Sequence, residues 1–594
     1  MSGGTARQSE LGAPSASNWQ PNPALRFLAI FARSGSSSGL FVGALGVTLA
    51  LLTLAPLATV LVSSFRPDGL PLSPGWTLEN YVSVWSAAYS WMLLANSFAF
   101  ALGSTVFALL ISLGLAWLIE RTDVPAPGFL RAAILMPMAT PPLLLAIGWA
   151  LVLSPQIGVV PAVIRSIFGA FPAGANIYSL PGAIFVQGLA YVPTCFLMLS
   201  PALRAIDPSF EEAALMSRAT RWRVFRRVVI PFLTPTLISA ATILTMVGIL
   251  AFDVPAVIAI PGNVPLLSIE VYRVMTPTSG LPDYGAGGAL SSAVFLIMIA
   301  GLVVYTRTMS RAGRFATISG KAYRPHRAGL GAWRPIAIGF VVFYILCAIV
   351  LPLLALVWTS LMPYFGGFDW SLLHRATLGA YRDVLGSPRV WSAGANALII
   401  AGFTSLVLVV LALGVAWGVL RSGVRAAFML DVLAMIPTGV PPLMMSVALI
   451  FLAFSFRSLA LYGTIWLIAL GHIIIFLPVA CRMMQAGLLQ INAELEESAI
   501  VSGATTARTV RSIIAPLLRP TIIAIVIWVA VHSIREFSIA VMLQSERNNV
   551  LSTILYNFWT TGSPAQAAAI ATLLMLSLCA LVACSAWLGR KHEN

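Results

Sequence analysis

The chain has 594 residues, 59% of them hydrophobic and only 9% charged, against about 25% charged in a typical soluble domain. A water-soluble fold has nowhere to bury so many uniformly apolar stretches, whereas in a bilayer each run of about 20 residues satisfies its own backbone as a helix. The formal charge of +15, from 35 basic and 20 acidic residues, gathers in a few connecting loops, which is the pattern of membrane orientation and not of nucleic-acid binding.

In chain order, residues 1–37 are polar and rich in Gly, Ser and Pro, which predicts a disordered tail and no cleavable signal. Six spans are predicted at 38–62, 92–118, 129–153, 182–202, 232–261 and 288–307. A basic linker follows at 308–334, then six more spans at 335–360, 393–420, 427–453, 464–487, 520–543 and 565–587, and a short tail at 588–594. The first six spans make one domain, 38–307, and the last six a second, 335–587. Pro141-Pro142 and Pro441-Pro442 predict a kink or break in the third span of each half, because proline lacks the backbone donor. With the N-terminus in the cytoplasm, most arginines fall on the same side, including Arg121, Arg131, Arg204, Arg421 and Arg482, so both termini are expected inside. Cys195, Cys347, Cys481, Cys579 and Cys584 all lie in apolar runs and read as small buried hydrophobes, without metal-binding spacing.

The chain repeats itself. Tyr81, Asn96, Ala116-Trp117 and Pro141-Pro142 recur as Tyr381, Asn396, Ala416-Trp417 and Pro441-Pro442, each 300 residues on. Beyond the third span the offset becomes 285, and the extra length of the first half is expected at 154–182 on the outer face. Two halves with six spans each share one orientation, so the fold class is an all-α polytopic membrane protein of about twelve transmembrane helices in two parallel repeats.

Two charged segments interrupt the apolar runs at equivalent places, EEAALMSRATRWRVFRRVVIP from Glu211 and EESAIVSGATTARTVRSIIAP from Glu496. Asp207 or Ser209 in the first, and Asn492 in the second, are helix-start signals, with the glutamates following in the first turn. A short cytoplasmic helix, a turn and a second helix entering the next span are expected in each. Topogenic arginines explain the positive charge, but not the acids, small residues and terminal proline repeated in register.

These segments resemble the EAA loop of permease subunits from binding-protein-dependent, ATP-driven importers. The second copy supplies Glu497-Ser498-Ala499, Gly503 and a distal Ile513-Ile514-Ala515-Pro516; the first supplies Glu212-Ala213-Ala214 and Val228-Val229-Ile230-Pro231, but has Arg218 at the glycine position. The resemblance spans about residues 38–587 and is similar to the fused, two-copy ferric-iron permeases, with 2-aminoethylphosphonate, thiamine and polyamine importers close by. It implies the type I importer fold in a bacterial inner membrane, and coupling helices that dock on two copies of a cytoplasmic ATPase. It also implies an external or periplasmic solute-binding protein that delivers cargo. Arg218 puts the tight turn of the first copy in doubt and raises the expectation that the two docking surfaces are unequal.

The chain has two lysines, Lys321 and Lys591, and neither belongs to a phosphate-cradling Gly-Lys-Ser/Thr loop. No enzymatic activity and no cofactor are therefore expected of this chain, and ATP and Mg are expected to be used by the partner. Asp253, His532 and Glu536 are the polar candidates within the spans, as gate or pathway contacts, as structural pairs or as metal ligands. His532 and Glu536, four apart, are expected to share a helix face, and Tyr272 and Tyr556 fit an interfacial aromatic belt. An ion-coupled secondary carrier of two parallel halves is the alternative from another class. It would run without an ATPase and give Asp253 or Glu536 the coupling role.

Overall fold

A computed structural model describes residues 37–156, 158–169, 176–277, 279–312, 329–363 and 374–590. The predicted N-terminal tail and most of the predicted linker lie outside these residues. Among the described residues, eight helices are long and apolar enough to cross a bilayer, and three sharply bent helix pairs bring the number to eleven. The last helix, Pro564–Arg590, adds a shorter apolar stretch, Pro564–Ala580.

Both predicted breaks at paired prolines are present. Pro127–Ala139 meets Pro142–Leu153 at 95°, and Arg425–Gly439 meets Pro442–Ser455 at 109°. Proline also shapes the helices gently. Wide π-type turns at Phe225–Val229, Leu346–Val350 and Val510–Ile514 each end two residues before a proline, Pro231, Pro352 and Pro516. A proline has no N–H for the carbonyl one turn back, and a widened turn accommodates the gap without ending the helix.

The fifth spans depart from the sequence expectation. The predicted 232–261 ends at Ile249 and restarts as the short helix Asp253–Ile258; the predicted 520–543 ends at Arg535 and restarts as Ser538–Leu543. Around the first break the sequence stays apolar but for Asp253, so hydropathy hardly marks it, whereas Arg535 and Glu536 stand at the second. Leu551–Thr560 and Leu267–Met275 follow as short helices before the last span of each half. The extra segment of the first half carries the helix Val159–Phe168, where the second half has only the turn Arg457–Leu459.

The halves exchange their first spans. Thr59 on Ser37–Ser64 donates its hydroxyl to the carbonyl of Ala448, in the second half's Pro442–Ser455. Reciprocally, Trp149 on Pro142–Leu153 donates to the carbonyl of Cys347 in the second half's first span. Gly148 makes this approach possible: a Cβ there would lie 2.8 Å from the Cα of Pro352. Reciprocal contacts of this kind are what a two-fold relation between equivalent units requires.

The repeated tyrosines have one structural role. Tyr81 Oη is bonded to Ser64 at 2.8 Å and Ser292 at 2.7 Å; Tyr381 Oη is bonded to Ser360 and Thr572, both at 2.8 Å. Each hydroxyl chain ties the first span, an outer helix and the last span of its half. Asn96 and Asn396 likewise donate to backbone carbonyls beyond the fifth span, Pro265 and Asn549.

Candidate functional site

The first charged segment forms the helix Pro208–Met216, with Asp207 as its N-cap accepting from the Ser209 amide at 2.9 Å. That bond holds the Asp207 carboxyl below its ordinary range. The second forms Glu494–Val501, where Asn492 Oδ1 accepts from the Glu494 amide at 3.3 Å. Both helices end in the same left-handed turn. Gly503 has φ +85° and Arg218 has φ +57°, so the arginine keeps the turn that its side chain disfavours. The Ala219 amide donates to Ala214, and the equivalent Ala504 amide to Ala499, the six-residue closure of a Schellman motif. Ala213 and Ser498 occupy equivalent exposed positions within the two helices.

The paired glutamates divide their roles. Glu212 and Glu497 are exposed, whereas Glu211 is half-buried and Glu496 buried. Glu211 lies 3.4 Å from Arg121, and Glu496 lies 3.7 Å from Arg421 and accepts a 2.8 Å bond from Trp417 Nε1. Sequence reasoning treated these arginines as orientation charges and missed their burial; their 300-residue spacing was the available signal. At each helix tip stands an apolar side chain, Met216 at 87% exposure and its equivalent Val501 at 88%. Beyond the tip the surfaces differ, because exposed Trp222 stands where the second copy has Ala507.

Beneath the first segment lies a network without a copy in the second half. Buried Glu120 receives Arg131 Nη2 at 2.9 Å on both carboxylate oxygens, together with the Ser200 hydroxyl, and Arg204 approaches to 3.8 Å. At the positions 300 residues on stand Leu420 and Asp431, and there Asp431 pairs instead with Arg482 and Gln485.

A second cluster occupies the junction of the halves, where the fifth spans break. Phe252 and Phe537, equivalent by the 285-residue offset, stack at 5.9 Å between ring centres and 16° between planes. Tyr272 flanks the first and Tyr556 the second, each at 4.9 Å, so these tyrosines belong to an inter-half row of rings. Ser538 donates its hydroxyl to Asp253 at 3.2 Å, joining another pair of equivalent positions across the junction.

Glu536 lies just past the helix Arg519–Arg535 and caps the short helix after it, accepting the amides of Ile539 at 2.8 Å and Ala540 at 3.2 Å. A carboxylate at a half-helix N-terminus faces its positive end. His532 therefore does not share its face: it bonds the Trp528 carbonyl and stacks on that ring at 4.0 Å. The imidazole beside Glu536 is that of His472, at 3.3 Å, whose other nitrogen meets Ser533 at 2.8 Å. The first half has Gln187 at the equivalent place. Arg535 reaches across the junction to the carbonyl of Met138. Among the described residues, no three His, Cys, Asp or Glu side chains come together as metal ligands.

Known proteins resemble this chain along most of its length. The family model described as binding-protein-dependent transport system inner membrane component matches twice, at residues 108–312 and 409–587, which makes the internal repeat a duplication of that unit. The ferric transport system permease protein FbpB of Actinobacillus pleuropneumoniae is 25% identical over 90% of this chain and 75% of its own length. A putative ferric transport system permease protein FbpB 1 of Haemophilus influenzae is 26% identical over 82% of this chain and 75% of its own. A solved bacterial ABC transporter involved in alginate import is 18% identical, covers 46% of this chain and 93% of its own, and has a TM-score of 0.37. With two matched segments covering more than half of the sequence, the chain belongs to the family of binding-protein-dependent transport system inner membrane components.

Proposed function

We propose that this chain forms the membrane part of an importer for ferric iron, driven by two copies of a cytoplasmic ATPase and supplied by an external binding protein. The observation that carries the ATPase reading is the duplicated coupling segment: an exposed, capped helix with a left-handed turn and a proline-led entry into the next span, built twice at one offset. A short exposed helix held between two spans is a mechanical handle, and a partner gripping it moves both spans. Glu212, Ala213, Ala214 and Arg218, with Glu497, Ser498, Ala499 and Gly503, form the gripped surfaces, and Pro231 and Pro516 pass the motion into the fifth spans. The excess of arginine on the loops of this side supports a cytoplasmic location for both handles and both termini.

Motion of the fifth spans is transmitted to the junction, where Phe252 and Phe537 close the path between the halves and Asp253 and Glu536 line it. ATP binding favours the outward-facing arrangement, in which the docked binding protein releases cargo. Ferric iron is supported by the names of the two relatives that cover most of the chain; Asp253 and Glu536 supply the oxygen chemistry that a hard cation passes without being held tightly.

The test is uptake in proteoliposomes reconstituted with a partner ATPase and binding protein. The double variant Glu212→Gln, Glu497→Gln is expected to lower ATP-driven uptake at least about tenfold while the thermal unfolding profile is unchanged. Undiminished uptake rejects the coupling role, and uptake by the chain alone down an ion gradient makes it a secondary carrier. Ligand binding by the partner binding protein decides the cargo.

A further inference from the structure

Pro208–Met216 has no described side chain that is fully buried, and its Phe210, 44% exposed, meets Phe232 with 5.3 Å between ring centres, so apolar packing holds this helix only lightly. Its link to the preceding helix, Leu180–Ala205, is only two residues long, and the second copy turns between Leu489 and Glu494. At each elbow sits one arginine. Arg121, the last residue of Ala88–Arg121, is 3% exposed and donates Nη2 to the carbonyls of Leu203 at 2.7 Å and Ile206 at 2.8 Å, while Nη1 faces Glu211. Arg421 repeats the arrangement, donating to Ile491 at 2.6 Å and Leu488 at 3.4 Å with Nε facing Glu496.

These carbonyls belong to the end of the fourth span and the turn just after it, where the helix ladder runs out: Leu203 and Leu488 accept a tightened three-residue bond from the amides of Ile206 and Ile491, and the arginine adds a second donor. A planar guanidinium satisfies two of them and still presents an edge to a carboxylate, which an ammonium point charge does not do. One side chain therefore joins the second span, the end of the fourth span and the first turn of the handle. An arginine present only to orient the chain needs to stand on the cytoplasmic side; it does not need burial, or the same three partners in both halves.

We propose that Arg121 and Arg421 are positioning residues that lock each handle to its own half through Glu211 and Glu496. A push on the exposed glutamate face then moves the handle and the ends of the second and fourth spans as one body and does not flex the elbow. The functional consequence rests on the coupling reading above; the lock itself is a property of this chain alone.

The test is amide hydrogen exchange of the full chain in nanodiscs. The double variant Arg121→Gln, Arg421→Gln is expected to speed exchange in 208–216 and 494–501 by about tenfold or more, the scale set by hydrogen bonds to a charged group. Exchange in 142–153 and 442–455 stays as in the unmodified chain. Glu211→Gln with Glu496→Gln, a milder change, loosens the same two segments; lysine at 121 and 421 restores protection only in part; Glu212→Gln with Glu497→Gln leaves it untouched. Unchanged exchange in the arginine variant, or a loss spread over the whole chain, overturns the lock. In the reconstituted importer the arginine variant retains bound ATPase but transports less cargo per ATP hydrolysed. If the unmodified chain shows no ATP-driven uptake at all, the coupling reading fails while the exchange result still decides the lock.

Discussion

Phe252 and Phe537 stack face to face across the junction of the two halves, each nearly inaccessible and each at the same place in its repeat. Tyr272 and Tyr556 flank the pair with tilted rings, so four rings from two repeats form one central row. An aromatic pair contributes about 0.5–1.5 kcal/mol beyond its buried area, and truncating a packed phenylalanine to alanine costs about 3–5 kcal/mol in protein cores. Phe252→Ala with Phe537→Ala is therefore expected to leave the halves assembled through their exchanged first spans but open to leakage. Dye or ion efflux from loaded proteoliposomes without ATP measures this; an efflux rate equal to that of the unmodified chain shows that the rings are packing and not a closure.

The left-handed turn at Arg218 holds a conformation that costs an L-residue roughly 1–2 kcal/mol, while glycine adopts it freely. Arg218→Gly is expected to raise the protection of 208–216 by about threefold, the relief of strain being partly offset by the greater freedom of glycine in the unfolded chain. Gly503→Ala is expected to lower the protection of 494–501 by a similar factor. Opposite signs at equivalent positions, read by hydrogen exchange, are the outcome that matters.

Glu120 is buried under two arginines and a serine, in a network that the second half replaces with Leu420 and Asp431. Arg131→Met leaves the carboxylate short of its strongest partner and is expected to cost about 1.5–3 kcal/mol. Adding Glu120→Leu removes the stranded charge and is expected to recover most of the loss, as replacement of a whole buried pair often does. Thermal unfolding of the two single variants and the double variant measures the coupling; additive losses refute the pairing.

Asp207 titrates at a helix start. Its folded pKa lies below the ordinary value, so its contribution is complete above the unfolded value of about 3.9 and is lost as pH falls through the folded one. The first handle is expected to fray on acidification below about pH 4, and Asp207→Asn to keep the cap but lose that dependence. Segment-resolved exchange at graded pH, corrected for intrinsic rates, distinguishes the two behaviours.

Most of the architecture was legible in the sequence because the bilayer imposes a simple rule, about twenty apolar residues per crossing, and because equal spacing exposes a duplication without any alignment. The paired prolines announced their breaks. The breaks in the fifth spans were harder to read: the first interrupts an apolar stretch at a lone acid, Asp253, and the second falls at Arg535-Glu536, a charged pair inside an otherwise apolar span. Arg121 and Arg421 were visible as charges, but the carbonyls that they satisfy lie more than sixty residues away and carry no side-chain signature. His472 was legible as a polar residue in a span, yet its partner Glu536 became apparent only once the helix was seen to end at Arg535.

The exchange of first spans has a consequence for how the protein is made. Thr59 bonds a carbonyl 389 residues further along the chain. At about 5–20 residues per second, the ribosome delivers that carbonyl roughly 20–80 s after the first span has been inserted. During synthesis the first helix waits in lipid without its companion. The nascent first half holds its first span through the Ser64–Tyr81–Ser292 chain on one side only, and the other side of that helix is covered when the second half is inserted.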